Sequence, residues 1–365
     1  MSTTSAGEIQ ARAASFDPAP EAWGASVCPR ITGLAVADLG PSVSQEEALR
    51  RLGLEGNEFA EGIFARSGVR RRHLNLSDDF LKLTVQGRSG QVEDDLFAHA
   101  VAAVDQLEID PEQISTVVSA TLYSLGCPPL AQRLVEHYGM PRTTDKYHLV
   151  GVGCASAVPL MRLAAQSLLE HPRKQALVVA AESMSSILTP AGDDDPRAKI
   201  VGSAIFGDGC AAALLSRGEG RGPEILATQV HQLGDTLGAV SLALESEDSY
   251  LHLARDLPEL AAAGLAELVQ DFLVQRGVAR EAIDHWIVHP GGRRIIESVR
   301  DALSLSQRDV ATSWESLAHH GNIGTPAIFY VLKDTYEQRA PRSGNLGLAV
   351  TIGPGVTVGL MLLRW

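Results

Sequence analysis

The stretch 147-YHLVGVGCASAVPLMRLAAQSLLEHP-172 decides the fold of this chain. Residues 147–153 are typical of a strand, and from Ala155 onward the apolar residues recur at helical spacing until Pro172 ends the pattern. A strand that passes through a glycine-rich turn directly into a helix is the repeating unit of α/β folds. The stretch therefore predicts a strand, a tight turn and a helix, with Cys154 in the turn.

The same alternation extends along the chain on both sides of the glycine-rich segment 217-RGEGRGPE-224. We therefore expect an α/β fold made of two similar halves, residues 28–220 and 221–365. Residues 1–27 lack periodicity and predict a flexible N-terminal arm without chemistry. Helices are predicted at 92–109, 128–140, 155–172, 257–277, 293–303 and 326–339, and further strands at 115–123, 176–183, 210–216, 286–290, 346–353 and 356–363.

The composition excludes several classes of protein. The chain has 365 residues, of which 45% are hydrophobic and 21% charged, so most of it should fold around a sizeable core. The net charge of −13 argues against a general nucleic-acid or anionic-membrane surface. No apolar run reaches the roughly 18 residues that span a bilayer, and the N-terminus lacks an export pattern, so we expect a cytoplasmic protein. The four cysteines, Cys28, Cys127, Cys154 and Cys210, have neither zinc-site nor disulfide-framework spacing, which favours free thiols and no metal.

Three polar residues could carry chemistry together. Cys154 lies before a helix, where peptide dipoles stabilise a thiolate, although a packed core thiol fits the pattern equally well. His289, in 286-WIVHPGG-292, follows a strand, where the sites of α/β folds gather; a lone histidine there is more often structural. Asn322, in 319-HHGNIGTP-326, could donate to an oxyanion or simply cap a helix.

Two glycine motifs, 206-FGDGC-210 and 353-GPG-355, predict tight turns or close backbone approaches, and no phosphate-binding loop motif is present. Together with Cys154, His289 in HPGG and Asn322 in HGN, these two glycine motifs stand in an order and at a spacing that resembles one protein family. That family is the type III polyketide synthases, the chalcone synthase-like branch of the thiolase superfamily. The resemblance also includes 200-IVGSAIFGDGCAAALL-215, 250-YLHLARDLPEL-260 and 353-GPGVTVG-359, and it covers most of residues 28–365.

The resemblance implies a thiolase-like layered αβαβα architecture and a Cys-His-Asn catalytic triad. Cys154 would take an acyl group from a coenzyme A (CoA) or carrier-protein thioester, and His289 and Asn322 would stabilise the enolate of a decarboxylating malonyl unit. The product would be a pyrone, a resorcinol or two joined β-ketoacyl chains. The implied substrates are acyl-CoA and malonyl-CoA, with no cofactor, and the implied assembly is a homodimer. An acyltransferase that passes the acyl group to an alcohol or amine is the alternative; a non-catalytic scaffold is disfavoured because the triad is retained.

The resemblance also assigns the cavity wall. Phe206 would be one gating aromatic, while Leu251 replaces the other and should widen the passage for a long or unusual acyl chain. Cys127 would complete the cavity of the partner subunit, and the turn Gly353, Pro354 and Gly355 would contact substrate. Unlike the family, Cys154 is followed by Ala-Ser-Ala and Asn322 by Ile-Gly-Thr. The remaining predicted site is a basic patch that would bind the phosphates of CoA or phosphopantetheine. The alternative interpretation is a run of solvated charges without a ligand. The arginines concerned are Arg70, Arg71, Arg72, Arg293 and Arg294.

Overall fold

Nine strands form one sheet in the described part of the chain, which comprises residues 27–124, 126–191, 196–218, 220–244 and 249–365 of a computed structural model. The predicted arm at 1–27 lies outside these residues except for Val27. The strands are β1 (Pro29–Val36), β2 (Val43–Ser44), β3 (Arg71–Arg72), β4 (Ile114–Thr121), β5 (Asp145–Val150), β6 (Gln175–Glu182), β7 (Gly209–Arg217), β8 (Glu224–Gln232), β9 (Val240–Leu244), β10 (Ser249–Leu253), β11 (Ile283–Val288), β12 (Leu346–Gly353) and β13 (Thr357–Arg364). Four short strands form two further two-stranded antiparallel sheets, β2 with β3 and β9 with β10.

The strand order of the large sheet is β11-β12-β13-β8-β1-β7-β6-β4-β5. Strands β4, β5 and β6 run parallel to one another, as do β11 and β12, whereas β7, β1, β13 and β8 pair antiparallel to their neighbours. The order β4-β6-β7-β1 before residue 220 recurs as β11-β12-β13-β8 after it. The two sets meet where β1 pairs with β8 through a single residue pair, Arg30 with Glu224. Residue 220 lies in the connection between β7 and β8, which joins the two sets of strands; the division into two halves there stays a prediction.

Helices cover the sheet in layers because their apolar faces must be buried. The helices are α1 (Gln45–Arg51), α2 (Glu58–Arg66), α3 (Asp78–Leu81), α4 (Val85–Val104), α5 (Leu130–His137), α6 (Ala157–Glu170), α7 (Arg197–Ile205), α8 (Leu257–Ala262), α9 (Leu265–Val274), α10 (Arg293–Ala302), α11 (Ala311–His320) and α12 (Ala327–Arg339). Among the described residues, no helix is long and apolar enough to cross a membrane.

Helices α6 and α12 are sandwiched, because each contacts strands from both sets. Met161 and Phe329 belong to a core cluster that also contains Val178 and Ala349, one from each part of the sheet. The opposite faces are covered by α4 and α5 on one side and by α9, α10 and α11 on the other. This succession is helix, strand, helix, strand, helix, which is the predicted αβαβα layering.

The predicted helices and strands of the large sheet are present, but several boundaries differ. The helix predicted at 257–277 is two helices, α8 and α9, because Gly264 between them has φ +71° and interrupts the helical backbone. Helix α4 begins at Val85 rather than at 92, with Thr84 accepting the Gly87 N–H as its N-cap. The following elements were not predicted: β1, β2, β3, β8, α1, α2, α3, α7, α11 and the β9–β10 hairpin.

Candidate active site

A cavity of about 850 Å³ opens where β5, β11 and β12 end. Because these strands lead into turns at one edge of the layered core, residues from distant parts of the sequence reach the same space. Helices α2, α7 and α8 and the β9–β10 hairpin form the opposite wall. That wall and the floor are mainly apolar: Phe59, Ile63, Leu122, Met184, Val201, Ile205, Phe206, Val240, Leu251, Leu253, Leu257 and Pro258.

Cys154 lies in a 3₁₀ turn, Gly153–Ser156, that leads straight into α6. Gly153 has φ +63°, and a Cβ atom there would lie 2.8 Å from Cδ of Pro354, so only glycine fits. The N-terminal dipole of α6 favours a thiolate, but burial, reinforced by the charge of Glu182, raises the pKa of the Cys154 thiol to about 12. The resting nucleophile is therefore a thiol.

His289 follows β11, and its backbone N–H donates to the carbonyl of Val350 at 2.9 Å. The side chain is only 1% exposed, and neither ring nitrogen has a hydrogen-bond partner among the described residues. Burial lowers the pKa of His289 to about 4, so the imidazole is neutral at pH 7. A buried neutral imidazole with two unused nitrogens can accept a proton at one and donate at the other.

Asn322 is held by backbone pairing with the end of α7. Its N–H donates to the Ile205 carbonyl at 2.7 Å, and its carbonyl accepts the Gly207 N–H at 3.2 Å. The side-chain oxygen accepts the Gly324 N–H at 3.0 Å, while Nδ2 donates to the Gly291 carbonyl at 3.1 Å. These two bonds fix the orientation of the side-chain amide. Helix α12 begins only at Ala327, so the alternative that Asn322 caps this helix is wrong.

Cys154 Sγ lies 3.9 Å from Oδ1 of Asn322, and His289 lines the same cavity. The structure thus brings together the three residues predicted to form the triad. Phe206, Leu251, Gly353 and Pro354 also line the cavity, and their contact with substrate stays a prediction.

Two residues predicted to contact substrate do not line this cavity. Gly355 is buried beside Gln232 and Leu237. Cys127 is an exposed free thiol outside it. That position is compatible with a contact made from a second subunit, which stays a prediction.

The predicted basic patch is divided. Arg293 and Arg294 line the cavity mouth, where they pair with Glu297 and Glu259 respectively. Arg70 and Arg71 are exposed outside the lining, beside His319 and Ser42, and their contact with phosphates stays a prediction.

The prediction for Arg72 is wrong. Its side chain has no exposed surface, and its guanidinium donates to the Ser203 carbonyl at 2.5 Å and lies over the Phe64 ring. Burial lowers its pKa to about 9. Three consecutive arginines suggested one solvent-facing patch, but strand alternation turns the last of them inward.

Comparison with known proteins assigns this arrangement to a family. The family described as "FAE1/Type III polyketide synthase-like protein" matches residues 41–272, and "Chalcone and stilbene synthases, C-terminal domain" matches residues 224–365. The chain belongs to the type III polyketide synthases. It is therefore a condensing enzyme that transfers acyl groups, and the predicted resemblance and thiolase-like fold are confirmed.

Two relatives and one solved structure are similar to this type III polyketide synthase over two thirds of its length or more. The 3,5-dihydroxyphenylacetyl-CoA synthase of Amycolatopsis balhimycina is 29% identical over 92% of this chain and 93% of that protein. The "Alpha-pyrone synthesis polyketide synthase-like Pks18" of Mycobacterium tuberculosis is 30% identical over 68% of this chain and 65% of that protein. The crystal structure of PKS-I from the brown alga Ectocarpus siliculosus has a TM-score of 0.84 at 27% identity and covers 93% of this chain and 99% of that one.

The structure of the synthase also places residues in the site that the sequence had not indicated. Arg66, Arg197 and Arg255 line the cavity near Arg293 and Arg294, and only Arg255 lay in a motif singled out from the sequence. Below the cavity, Glu182 is fully buried beside the Cys154 turn. Within the described ranges, no three His, Cys, Asp or Glu side chains group as metal ligands would.

Proposed function

We propose that Cys154 accepts an acyl group from a CoA or carrier-protein thioester and that the enzyme extends it by decarboxylative condensation with a malonyl or β-ketoacyl unit. The observation that carries this proposal is the convergence of three groups on one largely apolar cavity. They are the Cys154 thiol, the Asn322 amide and the His289 imidazole, which has no hydrogen-bond partner among the described residues. An apolar cavity excludes water, which protects both the thioester and the enolate from side reactions.

In the first step, the neutral ring of His289 accepts the Sγ proton while sulfur attacks the thioester carbonyl. The bond from that carbon to the CoA sulfur breaks, and the departing thiolate takes the proton from the imidazolium. The low pKa of His289 and the high pKa of Cys154 make a separated thiolate and imidazolium costly before substrate arrives. Proton transfer is therefore concerted with attack rather than complete beforehand.

In the second step, loss of carbon dioxide from the malonyl unit leaves an enolate whose oxygen needs hydrogen-bond donors. Asn322 Nδ2 uses one hydrogen for the Gly291 carbonyl and can direct the second at this oxygen. A ring N–H of His289 supplies the other donor. The enolate carbon then attacks the acyl carbonyl on Cys154, and the thiolate leaves.

The cavity favours a long or bulky apolar starter. Leu251, 5% exposed, pairs across the β9–β10 hairpin with Leu242 and contributes a branched aliphatic group where the resemblance implies an aromatic one. Phe206, 3% exposed, also lines the cavity, so both residues at the proposed gating positions present hydrocarbon. We expect a pyrone- or resorcinol-type product, or two joined chains.

The phosphates of the donor would bind at arginines of the cavity, of which the described residues supply five: Arg66, Arg197, Arg255, Arg293 and Arg294. The ion pairs of Arg293 and Arg294 are solvent-exposed, so exchanging a glutamate for a phosphate costs little. This local basic rim supplies the anion site that a chain of net charge −13 otherwise lacks.

We further propose a homodimer formed through the edge of the sheet. Strand β5 is the last strand of the sheet, and Tyr147, Val150 and the following Val152 are 43%, 47% and 36% exposed. An unpaired edge strand with exposed apolar side chains is a template for association with a second copy. The loop that carries Cys127 leaves β4 next to this edge, where it could reach the partner's cavity.

Light scattering of the wild type and of Val150→Glu tests this: the wild type should be dimeric and the variant shifted towards monomer.

The condensation is tested with acyl-CoA and malonyl-CoA labelled in its free carboxylate. The wild type should give an acyl adduct by intact mass, release labelled carbon dioxide and form a chain-extended product. Cys154→Ala should lose the adduct and the product, whereas Cys28→Ala, which alters a thiol outside the cavity, should keep both. An adduct that passes to an alcohol or amine without carbon dioxide release would replace this proposal with the acyltransferase alternative.

A further inference from the structure

Glu182 lies at the end of β6, directly beneath the Cys154 turn, and it is 1% exposed. One carboxylate oxygen accepts the Leu122 N–H at 2.7 Å, and the other accepts the Thr325 hydroxyl at 2.9 Å. Longer bonds of 3.4 Å come from the Thr121 hydroxyl and the Thr325 N–H. The carboxylate thus joins the end of β4 to the segment that follows Asn322.

Thr325 connects this carboxylate to the nucleophile. Its hydroxyl lies 3.0 Å from the Gly153 carbonyl and 2.7 Å from the Ser156 hydroxyl, so it touches both ends of the turn that carries Cys154. A hydroxyl has one hydrogen to donate. With Glu182 ionised, that hydrogen goes to the carboxylate; with Glu182 protonated, it can go to the Gly153 carbonyl instead.

We propose that Glu182 is a positioning residue that fixes the Cys154 turn through Thr325 and whose negative charge, when present, disfavours the Cys154 thiolate. This deepens the proposed function, since it rests on Cys154 as the nucleophile. The titratable groups that feel the Glu182 charge are Cys154, from the turn, and Cys210, which lies on the neighbouring β7. No positive charge among the described residues forms an ion pair with the carboxylate.

The charge of Glu182 changes near neutral pH. Burial raises its pKa to about 7, while the four hydrogen bonds oppose that shift. Below pH 6 the residue is mainly neutral and the thiolate forms with no opposing charge. Above pH 8 it is mainly ionised, and the thiol holds its proton more tightly, so the two groups titrate as a coupled pair.

Glu182→Gln removes the charge with little change of shape. The amide oxygen can accept the Leu122 N–H, and the amide nitrogen can donate to the Thr325 hydroxyl, which then donates to the Gly153 carbonyl. Asp334→Asn is a matched control. Burial also raises the pKa of Asp334, to about 6, but it lies on α12 and does not act on Cys154.

The experiment measures the rate of Cys154 alkylation by iodoacetamide from pH 5.5 to 9.5, by peptide mass spectrometry, with glutathione as a reference thiol. The Gln variant and the wild type should react equally below pH 6. Above pH 8 the variant should react faster, by about tenfold for each pKa unit that the charge adds to Cys154. The wild-type profile should itself bend near pH 7, which keeps the test valid if the variant does not fold, and Asp334→Asn should follow the wild type.

Superimposable profiles for wild type and Glu182→Gln, with no bend near pH 7, would overturn the proposal. Because alkylation needs no condensation, the result is independent of whether the enzyme releases carbon dioxide. Loss of condensation with a bent profile would reject the proposed function alone.

Discussion

The substitution Gly353→Ala tests how closely the nucleophile is held by the turn that ends β12. Gly353 has an extended backbone, so alanine brings no conformational strain there. The obstacle is steric: its Cβ would lie 2.4 Å from the backbone nitrogen of Ala155 and 2.8 Å from the Cβ of Ala155. Ala155 is the residue directly after Cys154, so any relief of the contact moves the nucleophile.

The size of the displacement follows from the contact distance. Ordinary van der Waals separation begins at 3.4 Å, so the two backbones must part by 3.4 − 2.4 = 1.0 Å. A misplacement of that size at a reacting group costs on the order of 10²-fold in rate. Overpacking adds a loss of stability of about 1–3 kcal/mol.

The assay is single-turnover acylation of Cys154 by acyl-CoA, followed by rapid quench and intact mass, beside a melting temperature for each variant. Gly238→Ala is the control, because no atom of the described residues lies within 4 Å of its added Cβ. We expect a roughly hundredfold slower acylation for Gly353→Ala and an unchanged rate for Gly238→Ala. If Gly353→Ala acylates within about twofold of the wild type and melts at the same temperature, the turn does not hold the nucleophile in the way inferred.

Three further substitutions test the passage, the mouth and the imidazole. Leu251→Phe should narrow the passage and lower kcat/KM for long acyl-CoA by about tenfold relative to short acyl-CoA; an unchanged ratio in steady-state kinetics would show that this side chain does not bound the acyl chain. Arg294→Met should raise the KM for acyl-CoA by about fivefold. Arg72→Met makes the same replacement at a buried arginine that does not line the cavity, and it should leave the KM unchanged. Equal changes of KM in the two variants would contradict a role for Arg294 in binding the donor. His289 has a pKa of about 4 in the folded state, below the ordinary value of 6.5, so its contribution to stability is lost as the pH falls from 6.5 towards 4. The free energy of unfolding of wild type minus that of His289→Asn should therefore drop by about 1.4 kcal/mol per pH unit in that window, measured by urea unfolding, and parallel curves for the two proteins would refute a buried neutral ring.

The local sequence pattern was sufficient to predict the helices and strands that position the site residues. The turn at Cys154, the strand before His289 and the paired strands at the C-terminus follow from hydrophobic periodicity and from the glycines and prolines that end it. These signals are local, and they persist because each element must bury an apolar face in the layered core. The family was predictable because several short motifs stand in the family's order along the chain. The catalytic roles of Cys154, His289 and Asn322 stay predictions.

Local pattern failed where tertiary packing overrides it. The strand β1 lies at the seam of the sheet, and its PRITGLAV sequence has too mixed a pattern to be distinguished from a loop. Arg72 looked like its neighbours Arg70 and Arg71, but it is buried because its guanidinium meets the Ser203 carbonyl, 131 residues away. The local sequence of three arginines does not indicate which of them has a hydrogen-bond partner in a distant part of the chain.

What the sequence determined by itself was the chemistry available: a thiol, an imidazole and a carboxamide, each at the end of an element whose pattern is set by neighbouring residues. What only the tertiary structure decided was the environment of those groups. The 3.9 Å approach of Cys154 to Asn322, the burial that keeps His289 neutral and the carboxylate of Glu182 beneath the turn all depend on residues far apart in the chain. Proton affinity and orientation are set by desolvation and by long-range contacts, which exist only once the layers are packed.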